Sequence, residues 1–208
     1  VYFGFALGAL NTLLFTKWFT PAQYGLTLMF ASVGNIILPL ASLGMQSYIF
    51  KFYPYYQDNL PPKKNDMMTW ALFTSFTGFL LVMAGGFIFK DLVIRKYSVT
   101  SPEFVNYYYW IFPFGFGITF YSLLEAFAWQ LKQSVLTNYF REVQFRLFTL
   151  VLVVLSYIGV LRNFDAFIKI YACTYLLLAL TLLVYLVITR QLHLPFYRSR
   201  VSKKFFKK

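Results

Sequence analysis

The chain has 208 residues, of which 59% are hydrophobic, 23% aromatic and only 12% charged. Soluble domains average about 45–50% apolar and about 25% charged residues, so this chain carries more apolar surface than one soluble core can hide. The composition excludes a soluble globular enzyme, a disordered segment and a disulfide scaffold. Together with a mean hydropathy of +0.60, it predicts a polytopic membrane protein.

Six apolar runs approach the length of a membrane span, which needs about 20 residues. They cover residues 1–19, 26–50, 67–89, 104–131, 145–161 and 167–189. Because the runs are continuous rather than short and alternating, they favour helices over a membrane β-barrel. We therefore predict an all-α polytopic membrane protein, with a six-transmembrane-helix bundle over residues 1–189 and a basic tail or linker over residues 190–208.

Turn-forming residues separate these runs. Residues 20–25 predict a turn before the second span, and the loop of residues 57–66 contains two prolines that cannot continue a helix. Ser101 can cap a helix that begins at Pro102. The link of residues 162–165 is short enough to make the last two spans an antiparallel pair.

The positive charge is distributed unevenly over the predicted loops. Thirteen of the 19 Lys and Arg residues lie in the loop between spans two and three, the connection between spans four and five, and the tail. The positive-inside rule therefore places these segments and the N-terminus in the cytoplasm. A net charge of +12 could also indicate binding of nucleic acid, but that function requires a basic soluble face, which this chain lacks. We therefore interpret the charge as a signal of membrane orientation. The tail can also hold the anionic head groups of membrane lipids.

Residue types that commonly carry catalysis are scarce. Cys173 is the only cysteine, so no intrachain disulfide can form, and its apolar neighbours favour a buried, inert thiol. His193 is the only histidine. The sequence shows no phosphate-binding glycine loop, no nucleophile–base pair and no cluster at metal-ligand spacing. We predict that the chain is not an enzyme and needs no cofactor or metal.

Glu125 is the only acidic residue well inside a predicted span. Intramembrane carboxylates are costly and face a charged partner or a wet cavity. If spans four and five turn near residues 134–135, Glu125 lies at the level of residue 144, which Arg141 and Arg146 flank. One interpretation is a salt bridge that locks the two helices together. The other is a cavity residue that senses a coupling cation or aligns a cavity arginine.

Two lysines lie at span ends. Lys17 is near the outer end of the first span, where it can snorkel to the interface or attract an anionic substrate at a cavity mouth. Lys51 ends the second span on the cytoplasmic side, where it can anchor the helix or meet a pyrophosphate.

The first two spans also contain polar and small residues. Asn11, Asn35 and Gln46 more often join helices than touch a substrate. Gly4 and Gly8 form a small-xxx-small pair that predicts close approach of another helix.

Proline and glycine interrupt two of the predicted spans. Pro39 in the second span, and Pro113, Gly115 and Gly117 in the fourth, predict helix kinks. Kinked helices suit a protein that bends between states, although static bundles contain them too.

Two segments resemble a known family. Residues 19–25 (FTPAQYG) are similar to an L-T-P-x-x-Y-G turn, and residues 40–54 are similar to a P-L-x-S-L-G helix end followed by a basic residue. Both are typical of polysaccharide-biosynthesis (Wzx-type) flippases of the multidrug/oligosaccharidyl-lipid/polysaccharide exporter superfamily, to which MATE transporters belong. Residues 123–125 and 140–143 also resemble segments of bacterial members.

The resemblance implies one six-helix lobe of a two-lobed, MATE-like transporter in the bacterial inner membrane, with the second lobe after Lys208. Such proteins move undecaprenyl-pyrophosphate-linked oligosaccharides across the membrane by alternating access, and basic cavity residues hold the pyrophosphate. Lys51 is the closest match to the family's basic residue, but it is Lys where Arg is common, which weakens bidentate phosphate binding.

Two alternatives remain open. A MATE-like, cation-coupled multidrug exporter would prefer acidic cavity residues, and Glu125 alone qualifies. A non-transporting membrane scaffold or assembly subunit would also suit six helices and a basic tail.

Overall fold

The structure is a computed structural model that describes residues 2–161 and 163–205. Within these residues every regular element is a helix and no strand occurs, which confirms the all-α class. In chain order the α-helices are α1 (Tyr2–Trp18), α2 (Pro21–Ser42), α3 (Met45–Asn59), α4 (Met67–Ile88), α5 (Lys90–Tyr97), α6 (Pro102–Asn106), α7 (Ile111–Gln130), α8 (Ser134–Tyr139), α9 (Phe145–Tyr157), α10 (Phe164–Ala172), α11 (Thr174–Ile188) and α12 (Arg200–Phe205). A π-helical turn (Phe140–Gln144) joins α8 to α9, and 3₁₀ turns cover Pro62–Lys64 and Tyr108–Trp110.

The prediction of a turn over residues 20–25 is wrong for residues 21–25, which form the first turn of α2. Only Thr20 lies outside the helix, as its N-cap. Thr20 Oγ1 accepts a hydrogen bond from the Gln23 backbone N–H at 3.3 Å, and Gln23 Oε1 accepts one from the Thr20 N–H at 3.0 Å. This reciprocal capping, with Pro21 at the first helical position, starts a helix rather than a loop.

The second predicted span, residues 26–50, is not one helix. Leu43 and Gly44 both adopt left-handed backbone conformations, with φ of 47° and 76°. Successive left-handed residues cannot continue a right-handed helix, so α2 ends at Ser42 and α3 starts afresh.

The fourth predicted span is also subdivided. A short helix starts at Pro102 as predicted, but the Ser101 side chain makes no capping hydrogen bond. Pro113 lies in the first turn of α7, where its missing N–H costs little.

The other proline for which we predicted a kink is Pro39. Helix α2 continues through it.

Helix α7 is the centre of the bundle and packs against α2, α3, α4 and α11. Gly115 and Gly117 permit this packing: a Cβ on Gly115 would lie 2.7 Å from Ile37, and one on Gly117 would lie 2.6 Å from the carbonyl carbon of Tyr175. These glycines thus allow close approach of α2 and α11.

Helix α1 packs mainly on the π-helical turn and α9. A Cβ on Gly4 would lie 2.9 Å from the Glu142 carbonyl oxygen, and one on Gly8 would lie 2.8 Å from the Arg146 guanidinium. The close approach predicted from the small-xxx-small pair is confirmed.

The connections alternate between the two ends of the bundle. At one end Gln133, after α7, donates a hydrogen bond to Gln191 in the tail at 2.7 Å. At the other end Phe164, before α10, packs against Phe19 and Tyr107, with ring centroids about 6 Å apart. Arg162, in the predicted link between the last two spans, lies outside the described residues.

Within the described residues, four helical stretches are long and apolar enough to cross a membrane: residues 21–42, 62–88, 108–130 and 164–188. Their outward faces are apolar as well; Leu81 is 69% exposed and Ile188 is 74% exposed. Such surfaces indicate a membrane-embedded protein. The six-span count stays a prediction, because α1 has 17 residues and α9 has 13.

Candidate intramembrane site

A salt bridge crosses the bundle between α7 and the π-helical turn. Arg141 Nη1 donates to Glu125 Oε2 at 3.2 Å, as the predicted pairing of Glu125 with Arg141 or Arg146 allowed. The Glu125 side chain is 8% exposed, whereas that of Arg141 is 43% exposed. The carboxylate is therefore held inside the bundle while the guanidinium keeps an open side.

The salt bridge belongs to a longer network that reaches α1. Arg146 Nη2 lies 2.8 Å from Glu142 Oε2, and Arg141 Nε lies 3.8 Å from Glu142 Oε1. Arg146 also donates to the Gly4 carbonyl, and its own carbonyl accepts a hydrogen bond from Asn11 Nδ2 at 2.9 Å. Asn11 thus joins helices, as its sequence position indicated.

The π-helical turn that carries Arg141 and Glu142 was not predicted from the sequence. It inserts one extra residue per turn and so changes the faces on which the following side chains emerge. Such turns are frequent at functional sites. No local residue pattern distinguishes this segment from an ordinary α-helix.

A cavity of about 260 Å³ opens beside the salt bridge. It is lined by Leu38, Gln46, Phe50, Ser122, Glu125, Ala126, Trp129 and Arg141. Glu125 Oε1 is buried and has no hydrogen-bond partner among the described residues. A buried carboxylate oxygen without a partner is costly, so the site has spare capacity for a hydrogen-bond donor or a cation.

The other predicted site residues lie elsewhere. Lys17 is exposed at the opposite end of α1, beside the stacked rings of Trp18 and Tyr157. Lys51 is exposed on α3, and Asn35 is exposed on α2. The cavity beside Glu125 contains none of these three side chains in its lining.

Of the residues that the structure describes, Arg141 is the one cationic side chain in the lining of this cavity. A guanidinium presents planar N–H donors that match phosphate oxygens, and it stays charged in an apolar environment. Glu125 accepts a hydrogen bond from it and offsets its charge. No group of three His, Cys, Asp or Glu that could bind a metal occurs among the described residues.

Comparisons of the chain with protein-family models, with curated proteins and with solved structures found no match.

Proposed function

We propose that the chain is one six-span lobe of a bacterial inner-membrane flippase that moves a lipid-linked, pyrophosphate-bearing oligosaccharide between leaflets. This proposal is carried by the Arg141 side chain, which is 43% exposed and is held by the buried Glu125 carboxylate beside an open cavity. The resemblance of residues 19–25 and 40–54 to flippase segments supports the same assignment.

In this proposal Arg141 binds the pyrophosphate and lowers the cost of moving it through the membrane interior, where even one unpaired charge is strongly disfavoured. When the substrate leaves, Arg141 returns to Glu125, so the cavity never holds an unpaired cation. A second lobe following this chain completes the cavity wall and allows it to open to one leaflet at a time.

The proposed orientation places the N-terminus, residues 57–66, residues 131–133 and the tail in the cytoplasm. These segments carry ten of the 19 Lys and Arg residues, which supports this orientation through the positive-inside rule.

The test is complementation by the intact protein in cells that lack their own oligosaccharide flippase. We expect Arg141→Ala to abolish surface glycan and Arg141→Lys to restore it in part. Arg95→Ala, an exposed change on α5, is the control and should leave surface glycan unchanged. Full surface glycan with Arg141→Ala at native expression level would contradict the proposal.

A second candidate function rests on the unpartnered Glu125 oxygen. In a cation-coupled multidrug exporter this oxygen would bind the coupling ion or a cationic drug. Drug-resistance profiling of cells expressing the intact protein separates the two functions: an exporter gives resistance that Glu125→Gln abolishes, whereas the flippase gives none.

A further inference from the structure

The tail is docked at the start of α4 through a buried carboxylate. Asp66 is fully buried, and its Oδ2 accepts hydrogen bonds from the Ser199 backbone N–H at 2.8 Å and from Trp70 Nε1 at 3.1 Å. Ser199 directly precedes α12, so the carboxylate of Asp66 fixes where that helix begins. Residues 190–205 of the tail are thus an ordered part of the fold.

A second contact fixes the tail to α3. The Ser202 hydroxyl lies 2.7 Å from the Tyr56 hydroxyl, which in turn lies 2.8 Å from that of Tyr48. Burial raises the pKa of the Tyr56 phenol, so it stays protonated in this chain of hydroxyl groups. Leu192 and Val201 are buried in the same core.

The docked tail completes an apolar groove of about 410 Å³ on the outer side of α4. The groove is lined by Thr69, Trp70, Leu72, Phe73, Phe76, Phe120, Leu194 and Phe196. Phe73 is 59% exposed and Phe196 is 93% exposed. Ligand sites have volumes of about 300–1,000 Å³, so the groove is large enough for part of a lipid chain.

A cation lies beside one lining residue of this groove, and further basic residues are close to it in the chain. The Arg198 guanidinium lies 4.8 Å from the ring centroid of Trp70, which is itself a lining residue. Arg200 and Lys203 are exposed on α12, and Lys63 and Lys64 are exposed just before α4. An apolar groove beside a cationic rim has the chemistry that complements an anionic amphiphile.

We propose that this surface binds an anionic phospholipid of the surrounding bilayer, with an acyl chain in the groove and the phosphate at Arg198 and Arg200. The groove runs along residues 69–76 of a stretch that is long and apolar enough to cross a membrane, so acyl chains of the bilayer can reach it. A zwitterionic lipid would place its own cation beside the arginines, so the site selects net negative charge. The proposal does not depend on the flippase function, because the groove and the Glu125 cavity share no lining residue.

The test is native mass spectrometry of the purified protein with phosphatidylglycerol or phosphatidylcholine. We expect phosphatidylglycerol to bind more tightly, and the double variant Arg198→Gln/Arg200→Gln to weaken its binding by about thirtyfold. The control is Arg95→Gln/Lys96→Gln, which removes the same charge from exposed residues of α5 and should leave the preference intact.

A second variant tests the groove itself. Phe196→Ala changes an almost fully exposed side chain, so the fold should persist, and we expect it to weaken binding of phosphatidylglycerol. Equal binding of the two lipids, equal loss in the α5 control, or undiminished binding by Phe196→Ala would each overturn the proposal. So would displacement of phosphatidylglycerol from the groove by a polyprenyl pyrophosphate at equimolar concentration, because the site would then belong to the transport substrate.

Discussion

At the residue scale, the Glu125–Arg141 pair joins a buried carboxylate to a partly exposed guanidinium. Removing one member of a buried pair leaves the other uncompensated and costs more than the pair itself contributes. Arg141 is 43% exposed on its side chain, so the effect is smaller than for a fully buried pair.

We therefore expect a double-mutant cycle of Glu125→Gln and Arg141→Gln to give a coupling energy of about 1–2 kcal/mol in detergent. Thermal unfolding of the four proteins measures it. The exposed Asp165–Lys169 pair, at 2.6 Å, is the matched control and should give about 0.5 kcal/mol or less. Equal coupling in both pairs would show that burial adds nothing at Glu125.

Gly117 offers a second residue-scale prediction. A Cβ there would collide with the backbone of α11, which cannot move without disturbing its own helix. We expect Gly117→Ala to destabilise the protein by about 1–3 kcal/mol. Gly85→Ala in α4, where a Cβ would meet nothing within 4 Å, should be neutral or stabilising by up to about 1 kcal/mol. Thermal unfolding in detergent compares the two; a neutral Gly117→Ala would contradict the packing described here.

At the element scale, the break between α2 and α3 and the position of the tail are fixed in different ways. Leu43 and Gly44 end α2 through backbone conformation. The tail, in contrast, is held through side chains on α3 and α4, so single substitutions can release it.

We expect Asp66→Ala to free the tail, because the Ser199 N–H and Trp70 Nε1 lose their acceptor. Each lost buried hydrogen bond costs about 1–3 kcal/mol, so trypsin should cleave at Arg198 and Arg200 at least about tenfold faster.

Ser202→Ala is a milder variant, which removes the contact with Tyr56 and should accelerate cleavage less. Asp58→Ala, an exposed change in α3, is the control and should not affect cleavage. Unchanged cleavage in Asp66→Ala would mean that the apolar contacts of Leu192 and Val201 suffice to hold the tail.

At the scale of the whole molecule, the alternation of connections between two ends makes orientation testable. In a Cys173→Ser background we expect Ser98→Cys to react with a membrane-impermeant maleimide in intact cells. Lys64→Cys, at the opposite end, should react only after permeabilisation, because the positive-inside rule places that end in the cytoplasm. The reverse pattern would invert the proposed topology. Both positions are exposed, so access depends on the membrane alone.

The amino-acid sequence alone predicted the helical class. It also narrowed the partner of Glu125 to two residues, Arg141 and Arg146. Apolar runs of this length dictate helices, because backbone polar groups in a bilayer must pair within their own segment. Helical spacing across the turn predicted near residues 134–135 then places Glu125 at the level of the two arginines. Gly4 and Gly8 likewise indicated a close helix contact without identifying the partner.

Only the tertiary structure decided the rest. The break at Leu43 and the π-helical turn were seen only in the structure. The choice of Arg141 over Arg146 and the docking of the tail on Asp66 depend on residues far apart in the chain. Local sequence patterns indicate which segments are buried away from water. They do not report which distant side chain satisfies a buried charge, because that energy exists only once the helices have packed.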